Sequence, residues 1–115
     1  MKALEAVETI SSQCKDTLLA IKDIVRRHEP GAEVLLFGSV ARGTHDEESD
    51  YDILVLVNAP LSIVRQNDIR ASVFDWELGV GIVVSLMFRD RSQWNSPRGR
   101  ISPFHKNVER DAVIL

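Results

Sequence analysis

Three short apolar segments constrain the fold of this chain more than any other feature of its sequence. They occupy residues 33–37, 53–57 and 82–88, and each is followed by a glycine or by polar residues. Apolar runs of this length without regular alternation are typical of strands that are covered on both faces. The sequence therefore predicts one buried sheet with helices packed against it.

The segments outside these strands have helical periodicity. Between positions 4 and 25, apolar residues recur at intervals of three, four or seven, and Pro30 is expected to end this helix near His28. Ser11 or Ser12 is an alternative start for a shorter helix. Cys14 lies on the apolar stripe, so we interpret it as a small core residue and not as a reactive thiol.

A second helix is predicted over residues 62–78, with Ser62 as its N-cap and Gly79 as its stop. Ile69, Val73 and Trp76 form its apolar face. In the tail we predict a helical turn over residues 90–94, a loop over 96–99 and a short helix over 108–113. The order of elements predicts a single α/β (α+β) domain over residues 1–115, with a small mixed β-sheet flanked by helices.

Composition excludes several classes of protein. The chain has 115 residues and a net charge of −3, and its apolar runs are far shorter than the roughly 20 residues of a bilayer span. A single cysteine excludes an intramolecular disulfide, and we expect a cytoplasmic location. Broad nucleic-acid binding is not expected, because phosphate contacts need a basic surface. The acidity is local, since five of the 17 acidic residues lie within positions 46–52.

A short glycine-bounded loop follows the first strand. Gly38 and Ser39 come directly after the apolar run, and Val40, Ala41 and Arg42 precede Gly43. A glycine allows a phosphate to approach the backbone, and free N–H groups at a helix start bind anionic oxygens together with a hydroxyl. The same pattern is also typical of an ordinary turn.

The acidic stretch leads directly into the second strand. Asp50 and Asp52 are two residues apart, so in an extended chain they project from the same face. Two carboxylates this close repel each other, and a divalent cation such as Mg²⁺ relieves the repulsion. The alternative is a solvated turn, which we favour for Asp46, Glu47 and Glu48. Tyr51 is expected to face the other side of the strand and to pack there.

The two motifs together resemble the signature of the DNA polymerase β-like nucleotidyltransferase superfamily. The similarity covers residues 33–57, from the Gly38–Gly43 loop to the strand that follows Ser49-Asp50-Tyr51-Asp52. The length and layout are similar to those of the minimal nucleotidyltransferases, which consist of a bare catalytic domain. The resemblance implies the nucleotidyltransferase fold.

The resemblance also implies a role for each matching residue. Asp50 and Asp52 match the metal-binding catalytic carboxylates, and Gly38 and Ser39 match the positions that hold the triphosphate of the nucleotide. Arg42 and Gly43 match the rest of the nucleotide-binding loop. Two Mg²⁺ ions and an NTP, most often ATP, would then support transfer of a nucleoside monophosphate to a hydroxyl group.

The chain departs from the family pattern at one position. The family usually has a third carboxylate on the neighbouring strand, but residues 82–88 contain no acid, and Ser85 is their only polar residue. Asp75, Glu77 or Asp90 are the alternatives within the chain, and a partner or substrate is another source. Without a third carboxylate, the domain is a degenerate nucleotide-binding or partner-binding module, which is the alternative function.

The expected protein partner is implied by the family resemblance alone. Free-standing members are often encoded beside a small helical HEPN protein, and the pair acts as toxin and antitoxin, so a HEPN-type partner is expected here. Homo-oligomerisation is a further expectation. Five basic residues between positions 89 and 106 would suit nucleic acid if they formed one exposed face, but we favour a solvated tail whose aromatic residues pack on the core.

Overall fold

A five-stranded mixed sheet forms the centre of the molecule. The computed structural model describes residues 1–44 and 50–115. Within them the strands are β1 (Lys2–Ala3), β2 (Glu33–Phe37), β3 (Tyr51–Val57), β4 (Val84–Asp90) and β5 (Val113–Ile114). Their order in the sheet is β1-β5-β2-β3-β4. The strand β3 is antiparallel to β2 and parallel to β4, so the predicted mixed sheet is confirmed.

Two long helices cover one face of this sheet. They are α1 (Ser12–His28) and α3 (Ile63–Val80), and their buried residues pack against Ile53, Val55 and Val57. Ser11 caps α1 through a hydrogen bond from the Cys14 amide, which confirms the shorter of the two predicted starts. In the described part of the chain, no helix is long and apolar enough to cross a membrane.

Three short helices cover the opposite face. They are α4 (Arg91–Trp94), α5 (Pro97–Arg100) and α6 (Pro103–Asp111), and they enclose Leu35, Leu54 and Leu56 with Trp94, Val108 and Ala112. Because side chains alternate along β3, its residues contribute to two hydrophobic clusters, one on each face of the sheet. A further short helix, α2 (Gly38–Arg42), follows β2 directly.

Several predicted boundaries are wrong. The second long helix ends at Gly81, which adopts a positive φ of 79°, and not at Gly79, which lies inside its last turn. This extension shifts the following strand from the predicted residues 82–88 to Val84–Asp90.

The tail also differs from its prediction. The predicted loop over 96–99 contains α5, because Ser96 and Pro97 supply an N-cap and a first helical residue. The predicted helix over 108–113 instead begins at Pro103 and ends at Asp111, because Val113 pairs with Leu36 of β2 in the sheet.

Candidate functional site

Asp52 is held at one end of the sheet by its two neighbouring strands. It lies opposite Phe37 of β2 and opposite Ser85 of β4. Because side chains alternate along a strand, Asp52 shares its face with Leu54 and therefore with the α4–α6 side of the sheet. Asp50 is exposed and precedes β3 by one residue.

Gly38 allows the carboxylate of Asp52 to approach the backbone closely. Gly38 has a φ of 78°, and a Cβ atom on it would overlap Oδ2 of Asp52 and lie 3.1 Å from its Cγ. Any other residue would therefore be strained by its backbone conformation and would displace the carboxylate. The glycine that the sequence placed in the loop and the aspartate that it placed on the strand are in direct contact.

The helix α2 presents its first turn beside this carboxylate. Its opening N–H groups have no acceptor within the helix, as in any helix start, and Ser39 is partly exposed there. Gly43 ends the helix in a left-handed conformation with a φ of 74°. The predicted loop from Gly38 to Gly43 is thus one helical turn with a glycine at each end.

The electrostatics of Asp52 reflect its crowded position. Burial raises the pKa of its carboxyl, the charge of Asp50 raises it further, and the charge of Arg42 partly opposes both effects. The two carboxylates are therefore close enough to repel each other. A divalent cation between such hard oxygen ligands would remove this repulsion, so the donor set fits Mg²⁺.

Arg42 connects α2 to the last helix. Its guanidinium lies 3.8 Å from the Oδ2 atom of Asp111, and its side chain is about half exposed. Asp111 also accepts hydrogen bonds from Arg110, which lower the pKa of its carboxyl. Sequence reasoning missed Asp111, because nothing in its local sequence indicates that α6 ends beside α2.

Tyr51 packs on the other face, as predicted. Its hydroxyl donates a hydrogen bond to the Sγ atom of Cys14 at 3.3 Å. Burial and this hydrogen bond raise the pKa of Tyr51 to about 12, so the phenol stays protonated. Cys14 is partly buried against the larger hydrophobic cluster, in agreement with the role predicted for it.

Ser85 lies on β4, the strand on which the family resemblance implies a third acid. It is the direct neighbour of Asp52 on β4, and its side chain lies on the same face. Asp90 is the last residue of β4, not a residue beyond it as predicted, and it pairs with Val57. Five residues of strand separate it from Ser85, a distance of about 16 Å.

Neither acid near the end of α3 belongs to this site. Glu77 accepts a hydrogen bond from the Val84 amide at 3.2 Å, and Asp75 lines a groove between α1 and α3 with Asp23 and Arg27. Both acids lie on the α3 side of the sheet, whereas Asp52 lies on the opposite side. Sequence periodicity alone could not distinguish the two sides.

Part of the acidic stretch lies outside the described residues. That part is residues 45–49, and it includes Asp46, Glu47 and Glu48, for which a solvated turn is predicted. Within residues 1–44 and 50–115, no group of three or more histidine, cysteine or acidic side chains could hold a metal ion. The candidate metal site built from described residues consists of Asp50 and Asp52 alone.

The basic tail is folded against the sheet. Trp94 is buried, and its ring packs edge-on against Phe104, which in turn packs edge-on against Phe37. The guanidinium of Arg89 lies 5.9 Å from the centre of the Phe104 ring. The aromatic residues of the tail are therefore part of the core, as the favoured interpretation predicts.

A family comparison agrees with this geometry. The family model described as "Nucleotidyltransferase domain" matches residues 18–114. Two proteins of Methanocaldococcus jannaschii that are provisionally named protein adenylyltransferases are also similar. One is 35% identical over 82 residues, which cover 71% of this chain and 77% of the relative. The other is 31% identical over 84 residues, which cover 72% and 76%.

Solved structures share the fold. A protein provisionally described as a minimal nucleotidyltransferase aligns with a TM-score of 0.61 and 25% identity, covering 96% of this chain and 98% of the other. A toxin–antitoxin structure with AMP-PNP aligns with a TM-score of 0.58 and 20% identity, covering 82% and 68%. On this evidence the chain belongs to the nucleotidyltransferase domain family and, within it, to the minimal nucleotidyltransferases.

Proposed function

We propose that the chain transfers AMP from ATP to a hydroxyl group on a protein. The observation that carries this proposal is the packing of the Asp52 carboxylate against Gly38, which places an acidic pair beside the first turn of α2. The names of the two archaeal relatives support protein adenylylation. The nucleotide analogue in the toxin–antitoxin structure of the same fold is consistent with ATP.

The acidic pair would bind the metal, and the loop from Gly38 to Gly43 would bind the phosphates. Asp50 and Asp52 would hold Mg²⁺, which supplies charge neutralisation for the triphosphate and the leaving pyrophosphate when it is bound. Gly38 leaves room for the Asp52 carboxylate, while the Ser39 hydroxyl and the opening N–H groups of α2 would donate to the oxygens of a phosphate. Arg42, tied to Asp111, supports the loop and adds positive charge beside the phosphates.

The transfer itself requires little covalent work from the protein. The acceptor oxygen forms a bond to the α-phosphorus, the bond from that phosphorus to the bridging oxygen of pyrophosphate breaks, and the hydroxyl proton leaves. Ser85 is not basic enough to take this proton. We therefore assign proton removal to a group brought by the acceptor protein.

The acceptor that we propose is a HEPN-type helical protein, paired with this chain as toxin and antitoxin. The family resemblance implies this partner, and the toxin–antitoxin structure of the same fold supports it. A tyrosine hydroxyl on the partner would receive the AMP.

A second function is favoured by one specific observation. Ser85 stands beside Asp52 on the strand where the resemblance implies an acid, so the domain would bind nucleotide and metal without turnover. In this case the chain acts as a nucleotide-dependent binding module for its partner. The experiments below distinguish transfer from binding alone.

Metal-dependent ATP binding should require both aspartates. In calorimetric titrations, we expect the wild-type chain to bind ATP at least about tenfold more tightly with Mg²⁺, because the cation offsets the carboxylate repulsion. Asp50→Asn/Asp52→Asn should abolish this gain, whereas Asp68→Asn, an exposed aspartate on α3, should keep it. A gain that persists in the double variant would contradict the site assignment.

Gly38→Ala should weaken Mg–ATP binding by at least about tenfold. The added Cβ meets the Asp52 carboxylate, and the backbone conformation at Gly38 is unfavourable for alanine. Gly79→Ala is the matched control, because a Cβ there meets no atom within 4 Å. Equal affinities for the two variants would show that the contact between Gly38 and Asp52 does not shape the nucleotide site.

Transfer should label the acceptor from the α-phosphate only. We expect a co-expressed HEPN-type partner to gain label from [α-³²P]ATP and none from [γ-³²P]ATP, because AMP carries the α-phosphorus. Ser85→Asp tests the alternative: if the wild-type chain binds ATP without transfer and Ser85→Asp restores labelling, the domain is degenerate for lack of the third acid. Label from the γ-phosphate would exclude nucleotidyl transfer as the reaction observed.

In the absence of metal, the ionised Asp52 carboxylate should lower the free energy of unfolding at neutral pH. The pKa of Asp52 is raised in the folded chain, so the folded state favours the protonated form, and stability falls as pH rises from the unfolded pKa through the folded one. In EDTA we expect Asp52→Asn to be more stable than the wild type at about pH 7, with a smaller difference at about pH 3.5. Denaturant titrations would measure this, and a difference independent of pH would refute it.

A further inference from the structure

The helix α3 has two apolar faces. Ile69 and Val73 face the sheet and are buried. On the other side, Val64, Phe74 and Leu78 are 69%, 55% and 70% exposed. An apolar helix surface that points to solvent marks an interaction site more often than scattered single residues do. We define the outer seam of α3 as Val64, Asn67, Ala71, Phe74 and Leu78, all of which are exposed.

The spacing of the outer seam is that of a helix-pairing surface. Its members are separated by three, four, three and four residues, which is the a/d pattern of a heptad repeat. At 3.6 residues per turn, these positions lie on the side of α3 opposite to Ile69 and Val73. The seam therefore suits a second helix that lies alongside α3.

The neighbouring strand edge is partly occupied by side chains of α3. β4 is the outer strand of the sheet, and two of its outward-facing backbone groups are paired with α3 side chains. Arg70 donates to the Leu86 carbonyl at 2.8 Å, and Glu77 accepts from the Val84 amide at 3.2 Å. Charged side chains that occupy a strand edge oppose strand addition. A helix is the better partner for this side of the molecule.

We propose that the outer seam is covered by the same seam of a second copy of this chain, with the two α3 helices parallel about a twofold axis. In this arrangement each seam residue meets its own counterpart, so Asn67 pairs with Asn67. A polar residue paired with itself inside a helix seam fixes register and the number of chains. Phe74 and Leu78 then supply the apolar contact.

The charges beside the seam select the parallel orientation. Arg70 borders the seam on one side and Asp75 on the other, five residues later. In parallel pairing these positions face each other across the interface, which gives two opposite-charge contacts per dimer. Antiparallel pairing would place Asp68 near Asp75 and Asn67 opposite Leu78, so it brings like charges together and leaves the amide without a polar partner. It would also set Arg70 against Glu77, but Glu77 already accepts a hydrogen bond from the Val84 amide.

The dimer leaves the candidate site open. The outer seam lies beyond α3 on one face of the sheet, whereas Asp52 and Ser85 lie on the opposite face. Two copies joined through α3 would therefore present two sites on opposite sides of the assembly. The proposal is independent of the reaction proposed above.

Sedimentation equilibrium of the purified wild-type chain tests the proposal. Over about 1 µM to 1 mM, we expect a monomer–dimer equilibrium, and a monomer throughout would overturn the proposal. Leu78→Asp and Phe74→Asp should each weaken the dimer by at least about tenfold. Ile101→Asp is the matched control, because Ile101 is also 70% exposed but lies outside α3. Equal effects of Ile101→Asp and Leu78→Asp would place the interface elsewhere.

Two further variants test the orientation. Asp75→Arg alone should weaken the dimer, and Arg70→Asp/Asp75→Arg should restore it, whereas a merely structural role of Arg70 gives no restoration. In a Cys14→Ser background, Ala71→Cys should form a dimer-linking disulfide on oxidation, because parallel pairing sets position 71 beside its counterpart. A dimer that cross-links only between Ala71→Cys and Phe74→Cys chains would be antiparallel and would overturn the proposal. Circular dichroism checks the fold of each variant.

Discussion

The close contact between the Asp52 carboxylate and the backbone of Gly38 is the constraint around which the candidate site is organised. It requires β2 and β3 to be paired in one register, with Phe37 opposite Asp52. It also requires a residue without a side chain and with a positive φ at the point where β2 becomes α2. The antiparallel pairing, the glycine and the helix start together bring an acid beside the first turn of α2, the turn that we propose binds phosphate.

The closeness of Asp50 and Asp52 lowers the stability of the fold at the site of the proposed chemistry. A partly buried carboxylate with a second carboxylate beside it has a raised pKa, and Arg42 relieves this only in part. A cation is the natural counterpart of such a pair. Functional sites often retain unfavourable interactions of this kind, because the ligand removes them on binding. The proposed cation would therefore explain the acidic pair better than the folding of the apo chain does.

The sequence predicted the elements well where the signal was local. The cap at Ser62, the strand Glu33–Phe37 and the contact side of Tyr51 all follow from residue type and spacing. The misses have physical causes. Helix propensity did not show that Gly81, not Gly79, would take the left-handed conformation, and two-residue strands such as β5 are too short to have a pattern. The link from Arg42 to Asp111 depends on tertiary contact between α2 and α6.

For the two acids near the end of α3, the side of the sheet on which they lie was information that the sequence could not supply. Glu77 and Asp52 are both near the same ends of β3 and β4, and only the strand register shows that they lie on opposite faces. On its side of the sheet, Glu77 instead binds the edge of β4, as Arg70 also does. With this strand edge partly occupied, the outer seam of α3 is the apolar surface that is open to a partner on this side. Glu77 is thus not part of the candidate site, but its hydrogen bond to the edge of β4 favours a helix over a strand as the partner on this side of the molecule.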